Sequence, residues 1–162
     1  VEAANPDSGD WALSQLAPNR YVLDNELRAN LGAPIDSPNN SYTSGTFILY
    51  RRGGLALGDD YRVSTEGDDS RFYWFFTLTE LDGYYNVYAT CRGFSSRDPD
   101  VQYRVWGRDI GSRYIDYDQR NFRYERADLG RYGLNTGTRY QVRVTGSGGG
   151  SVCADAIVIE LD

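Results

Sequence analysis

The sequence predicts an all-β protein, an antiparallel β-sandwich of jelly-roll type (residues 21–162) preceded by a short N-terminal arm (residues 1–20). Three observations carry this. From Gly83 onward the chain breaks into short runs rich in Val, Ile and Tyr, each closed by Gly, Asn or Asp. Several runs alternate, as where Tyr140, Val142 and Val144 share one face and Arg139, Gln141, Arg143 and Thr145 the other. Eighteen glycines over 162 residues match a chain of many tight turns, and helical periodicity is almost absent.

Taken in order, residues 1–20 do not read as a sandwich strand. Asp10 suits the cap of a short helix carrying Trp11, Leu13 and Leu16, which Pro18 would end. The alternative is an extended arm whose apolar residues dock elsewhere. A first strand is expected over 21–25 and a long Pro/Asn/Ser loop over 32–46, where Asn39-Asn40-Ser41 forms an N-glycosylation sequon at Asn39. A strand over 47–50 and a Gly-rich connection over 51–59 follow. Segments 61–65 and 71–79 flank a turn at 67–70 and read as a hairpin. In its second arm Phe72, Trp74, Phe76 and Leu78 share a face, which assigns Trp74 to the core.

Next come YYNVYATC (84–91), VQYRVWG (101–107), RYIDYDQ (113–119), LGRYGL (129–134) and TRYQVRV (138–144). The last run, VCADAIVIEL (152–161), is apolar on both faces: Ala154, Ala156 and Val158 on one, Ile157, Ile159 and Leu161 on the other. A strand of that kind belongs in the middle of a sheet.

Composition narrows the chemistry. No apolar run approaches the ~20 residues of a membrane span. A net charge of -6 argues against a nucleic-acid partner. All 17 basic residues are Arg, and the absence of His excludes Ser-His-Asp and Cys-His nucleophiles as well as His-ligated zinc. The absence of Lys excludes a Schiff base. The Gly-rich stretches 52–54 and 146–150 lack the setting of a phosphate loop and read as turns. No catalytic site is visible, and no enzyme is expected. Asp98/Asp100 and Asp116/Asp118 do not have the spacing of a calcium loop and read as solvated turn residues.

The chain starts without Met, and residues 1–4 carry neither a basic nor an apolar leader region, so a removed signal peptide and an extracellular or cell-surface location are expected. Cys91 ends one strand and Cys153 opens another. If those strands are adjacent and antiparallel a disulfide is geometrically allowed, the alternative being two buried free thiols; the bond is the expectation.

A family resemblance runs through the same stretch. Gly83, Tyr85, Val87, Tyr88 and Ala89 (G-x-Y-x-V-Y-A) are followed by Tyr103 and Val105, then Asp118-Gln119. Leu129, Gly130, Tyr132 and Leu134 (L-G-x-Y-x-L), Gly137 with Val142, and Ala154-Asp155-Ala156-Ile157 come next; Leu23-Asp24-Asn25 and Trp74 fit upstream. The pattern, over about residues 21–162, resembles the golvesin C-terminal, xanthan-lyase-type carbohydrate-binding-like domain. Where that family carries a Trp before its L-G pair, this chain has Glu125-Arg126-Ala127. The resemblance implies a jelly-roll sandwich appended to extracellular proteins. It requires no cofactor, although jelly-roll modules admit a structural calcium ion.

One constellation has binding character. Arg104 and Trp106 alternate outward from Tyr103 and Val105, Arg139, Gln141 and Arg143 outward from Tyr140, and Tyr88 lies on the polar face of its own strand with Asn86 and Thr90. Planar aromatics beside guanidinium groups suit an acidic sugar or an acidic neighbouring subunit. The competing reading is a row of cross-strand Arg–carboxylate pairs. Two functions follow. One is a structural subunit that pairs with copies of itself in an extracellular filament or sheath, with Trp11, Leu13 and Leu16 as the joint. The other is a secreted module binding an acidic polysaccharide through Trp106, Tyr88, Arg104 and Arg143. Because the sequence holds a module and an arm with no catalytic domain to serve, the subunit is the expectation.

Overall fold

The computed structural model describes residues 20–23, 41–44, 47–51, 60–64, 68–78, 81–121 and 126–162. They form twelve strands: β1 (Arg20–Leu23), β2 (Ser41–Ser44), β3 (Phe47–Arg51), β4 (Asp60–Ser64), β5 (Asp68–Thr77), β6 (Gly83–Ala89), β7 (Val101–Gly107), β8 (Gly111–Tyr117), β9 (Ala127–Leu134), β10 (Arg139–Ser147), β11 (Cys153–Ala154) and β12 (Ile157–Leu161). A 3-10 turn covers Gln119–Asn121. The strands make a four-stranded sheet β1-β12-β6-β9, a five-stranded sheet β2-β5-β10-β7-β8, and a short third sheet β11-β4-β3. Every ladder is antiparallel.

Alternation packs the two larger sheets face to face. The first turns Tyr21, Leu23, Tyr85, Val87, Leu129, Ile157 and Ile159 inward; the second turns in Phe72, Trp74, Phe76, Val105, Tyr140, Val142 and Val144. All are essentially out of contact with water. β12 lies between β1 and β6, as its two apolar faces require. Its Ile157 and Ile159 join the main core, while Val158 forms a second buried cluster with Val22 and Ala156 on the outer side of the sheet. In β9 the inward set steps from Leu129 to Tyr132, three residues instead of two. A bulge opposite Val87 and Tyr88 absorbs the extra residue. Gly130 accepts the φ of 107° that this needs.

The elements depart from expectation at three places. Residues 41–44, expected as loop, form β2, an edge strand paired with β5 from Ser41↔Trp74 to Ser44↔Arg71. Its partner ladder, not its own pattern, makes it a strand. Segments 61–65 and 71–79 are not a hairpin: β4 pairs with β3 and β11, whereas β5 crosses to the five-stranded sheet beside β10. The last run is two strands, because the chain changes sheets at Asp155 and Ala156. That corner is fixed by Thr90, whose hydroxyl donates to Asp155 Oδ2 at 2.8 Å and whose N–H donates to the Ala156 carbonyl at 2.8 Å.

The expected disulfide is absent from this structure. Cys91 and Cys153 are free thiols, both buried, and within hydrogen-bonding reach of each other. They do not meet as neighbouring strand ends, since β11 pairs with β4 and β6 with β12 and β9. They meet where the ends of two sheets converge. Burial, with Cys153 beside it, pushes the Cys91 thiol well up. Oxidation remains the expected outcome in air or with oxidised glutathione as the acceptor of two electrons and two protons. Closing a loop of about 60 residues would stabilise by roughly 4 kcal/mol in the chain-entropy model. Intact mass after alkylation without reductant tests this: no added alkyl groups are expected, and two would show that the thiols stay free.

Candidate functional site

Because Phe72, Trp74, Phe76, Tyr140, Val142, Val144, Tyr103 and Val105 point into the core, the residues between them must point out. Register then lines up three rows across the outer face of the five-stranded sheet. The first is Phe75, Gln141, Trp106 and Ser112; the second is Tyr73, Arg143, Arg104 and Tyr114; the third is Arg71, Thr145, Gln102 and Asp116.

Beyond the first row lies a groove of about 670 Å³, lined by Phe75, Trp106, Arg108, Gly137, Thr138 and Arg139. That volume is within the range of small-ligand sites. Phe75 and Trp106 stand two strand spacings apart, ~10 Å, with β10 between them. The Arg139 guanidinium carbon lies 4.7 Å from the Phe75 ring centre, and that of Arg104 lies 5.9 Å from Trp106. Tyr73 and Phe75 are stacked within 3° of parallel.

Two turns wall the groove, and one hydroxyl ties them together. Tyr140 OH donates to Asp109 Oδ2 at 2.7 Å and accepts from the Asn135 N–H at 2.7 Å, while Asn135 Nδ2 also donates to Asp109 Oδ2 at 2.7 Å. Further anchors come from Thr136 N–H to Asp82 Oδ1 and Gly137 N–H to the Leu78 carbonyl. At Gly107 any β-carbon would fall 2.4 Å from the Tyr140 ring, so only glycine lets the β7–β8 turn close over Tyr140.

This network sets a pH dependence. Burial, reinforced by the Asp109 carboxylate, raises the Tyr140 hydroxyl to about 12. Burial pulls Asp109 up as well, but the hydrogen bonds from Tyr140 and Asn135 outweigh it and hold the carboxyl below its usual value. A tyrosine raised on folding contributes stability that is full below its unfolded value, near 10, and lost as pH rises toward 12. Asp109 has the opposite sign: its contribution is present above ~4 and lost as pH falls through the depressed value. Thermal melts from pH 9 to 12 should show stability declining in wild type and less steeply in Tyr140→Phe. Equal slopes would remove Tyr140 from the account.

The outer faces of the two sheets differ in how their arginines are satisfied. On the first sheet Arg126 pairs with Glu160 and Arg131 with Asp162, each at 2.7 Å. On the second, Arg104, Arg108, Arg139 and Arg143 have no carboxylate partner among the described residues. Arg104 Nε donates to the Ser112 hydroxyl instead. Charge pairing across the sheet therefore describes Arg126 and Arg131 on the first sheet and not Arg104, Arg108, Arg139 and Arg143 on the second. In a chain of net charge -6, this face is a local concentration of positive charge.

Of the residues expected to bind, Trp106, Arg104 and Arg143 come together here. Tyr88 does not: β6 is in the other sheet, and Tyr88 packs on Val22, Ala156 and Val158 with Arg126 5.8 Å from its ring. Alternation tells which way a side chain faces but not which sheet its strand joins. Phe75, Arg108 and Thr138 were missed. Phe75 was readable as the residue between the core positions Trp74 and Phe76; Arg108 and Thr138 sit in turns that carry no period. Trp11, Leu13, Leu16 and the sequon at Asn39 lie outside the described residues.

Asp98 is no solvated turn residue. It is fully buried and accepts from Asp100 N–H, Ser147 N–H and the Ser147 hydroxyl, pinning one loop to the end of β10. Asp116 receives Gln102, and Asp118 forms an ion pair with Arg120. Among the described residues no three His, Cys, Asp or Glu side chains converge to hold a metal, and no helix is long and apolar enough to cross a membrane.

Among solved structures the fold is similar to a segment of Paenibacillus xanthan lyase, with a TM-score of 0.73 and 20% identity over 89% of this chain. It is also similar to a Podospora anserina GH26-CBM35 β-(1,4)-mannanase (TM-score 0.55, 9% identity, 90% of this chain) and to an exo-β-1,3-galactanase from Phanerochaete chrysosporium (0.51, 14%, 74%). The chain spans 13%, 28% and 27% of those proteins respectively, and the likeness at these identities is one of fold. No curated protein matches the sequence. The Golvesin C-terminal domain matches residues 36–161, most of the chain, and this protein belongs to that family.

Proposed function

We propose that this domain is a non-catalytic, extracellular module that binds polysaccharide along the outer face of its five-stranded sheet, with Trp106 as the anchor. One observation carries the reading: on that face Trp106 and Phe75 flank a groove whose neighbouring arginines have no carboxylate of their own among the described residues. Aromatic rings offer flat apolar surface to the C–H face of a sugar. Gln141 and Thr138 offer hydrogen bonds to hydroxyls, and the guanidinium rim favours an acidic polymer. The fold's likeness to segments of a xanthan lyase, a mannanase and a galactanase supports the same class. Assembly into a filament, the expectation from sequence, has no such support, and its proposed joint is outside the described residues.

Affinity electrophoresis tests the proposal. Native protein should be retarded in gels containing xanthan or polygalacturonate and less in gels containing neutral glucans. Equal mobility in all gels would exclude polysaccharide binding of this kind.

A further inference from the structure

We infer that the second row of the same face holds an oxyanion subsite. Arg104 and Arg143, with the Thr145 hydroxyl beside them, receive a carboxylate or sulfate carried by the bound glycan. The inference rests on the polysaccharide reading and deepens it, because it assigns the acidic group a place.

Arg143 and Arg104 stand directly opposite each other in the β10–β7 ladder. Like charges in that position repel and destabilise a sheet, and no carboxylate among the described residues intervenes. On the other sheet, by contrast, Arg126 and Arg131 each hold a carboxylate at 2.7 Å. Burial sharpens this at Arg143: its Nε is buried without a hydrogen-bond partner among the described residues, and so is the hydroxyl of Thr145, two residues along the same face of β10. Two unanswered polar groups thus lie ~7 Å apart in strand geometry, beside a charge pair that an anion would neutralise. Buried donors in native proteins are ordinarily satisfied, so a missing acceptor is the natural reading.

The surroundings fit a sugar acid. Tyr73 and Tyr114 flank the pair in register, and Tyr114 is 56% exposed. The Arg104 guanidinium carbon lies 5.9 Å from the Trp106 ring. The next row along the strands is ~7 Å away, so a sugar stacked on Trp106 places its own acidic group, or that of its neighbour, over the arginines.

The test uses four polymers in affinity gels: polygalacturonate, its carboxyl-reduced neutral form, dextran sulfate and dextran. Arg143→Gln and Arg104→Gln should each weaken binding to polygalacturonate or dextran sulfate at least tenfold and leave the weaker binding to the neutral forms unchanged. Their melting temperatures should hold or rise, since repulsion is relieved. Arg143→Lys should recover part of the loss. Retardation by polygalacturonate alone identifies a carboxylate site, and by dextran sulfate as well a general oxyanion site; either supports the subsite. If both glutamine variants bind as wild type while Trp106→Ala fails, the subsite is wrong and the groove stands. If Trp106→Ala binds normally while Arg143→Gln does not, the subsite stands and the groove reading falls. Equal wild-type affinity for acidic and neutral polymers overturns the inference.

Discussion

Trp106→Ala should abolish retention of the domain in a polysaccharide gel and leave its unfolding transition nearly where it was. The side chain is only half-buried on the outer face, where its in-register neighbours are Gln141 and Ser112. Removing it forfeits cross-strand contact worth about 0.2–1 kcal/mol but takes away the largest flat surface of the groove. Trp74 is the internal control. It is 1% exposed, meets the Phe72 ring in a tilted contact with 4.7 Å between centres, and belongs to the main core. Trp74→Ala should cost ~3–5 kcal/mol and bring the melting temperature down steeply. Thermal melts and affinity gels on both variants separate the two roles. A Trp106→Ala variant that is as unstable as Trp74→Ala would make Trp106 a core residue and displace the site.

The contrast between these two tryptophans was legible in the sequence, because a period of two names the face of every strand once its core side is known. Phe72, Trp74 and Phe76 fixed the inward face of β5, and Tyr140, Val142 and Val144 that of β10. The two apolar faces of β12 likewise placed it in mid-sheet. What alternation does not encode is pairing. Tyr88 and Trp106 have the same local pattern, yet they end on opposite outer faces because β6 and β7 join different sheets. The supposed hairpin failed for the same reason: residues 68–70, expected in the turn, begin β5 instead, and β5 found its partners in β2 and β10, far away in sequence. The groove is a product of those pairings. Its walls are two turns brought together by the Tyr140 hydroxyl, and no short-range signal specifies that contact.

Asp118-Gln119 shows a motif whose presence was legible and whose physics was not. Gln119 is fully buried; its Nε2 donates to the Cys153 carbonyl at 2.8 Å and to Tyr103 OH at 3.0 Å, and its Oε1 accepts the Cys153 N–H at 2.8 Å. β11 is only two residues long and pairs with β4 on one side. The N–H and C=O of Cys153 point the other way, and one amide side chain takes the place of a missing strand. Gln119→Leu keeps the volume but strands three polar groups in the core, each costing about 1–3 kcal/mol when unsatisfied. A total loss of about 3–5 kcal/mol is expected, read as a lower urea midpoint with the slope unchanged. Gln119→Glu sharpens the test. A carboxylate there faces the Cys153 carbonyl with no proton to donate, whereas the protonated acid restores one donor. Its folded pKa is raised by burial, so stability should be highest in acid and fall as pH rises through the folded value. Wild type would show no such term from this position. If Gln119→Leu unfolds at the wild-type urea concentration, β11 is held by β4 alone and the amide bridge is incidental; if Gln119→Glu regains stability on acidification, the donor to Cys153 is what the fold requires there.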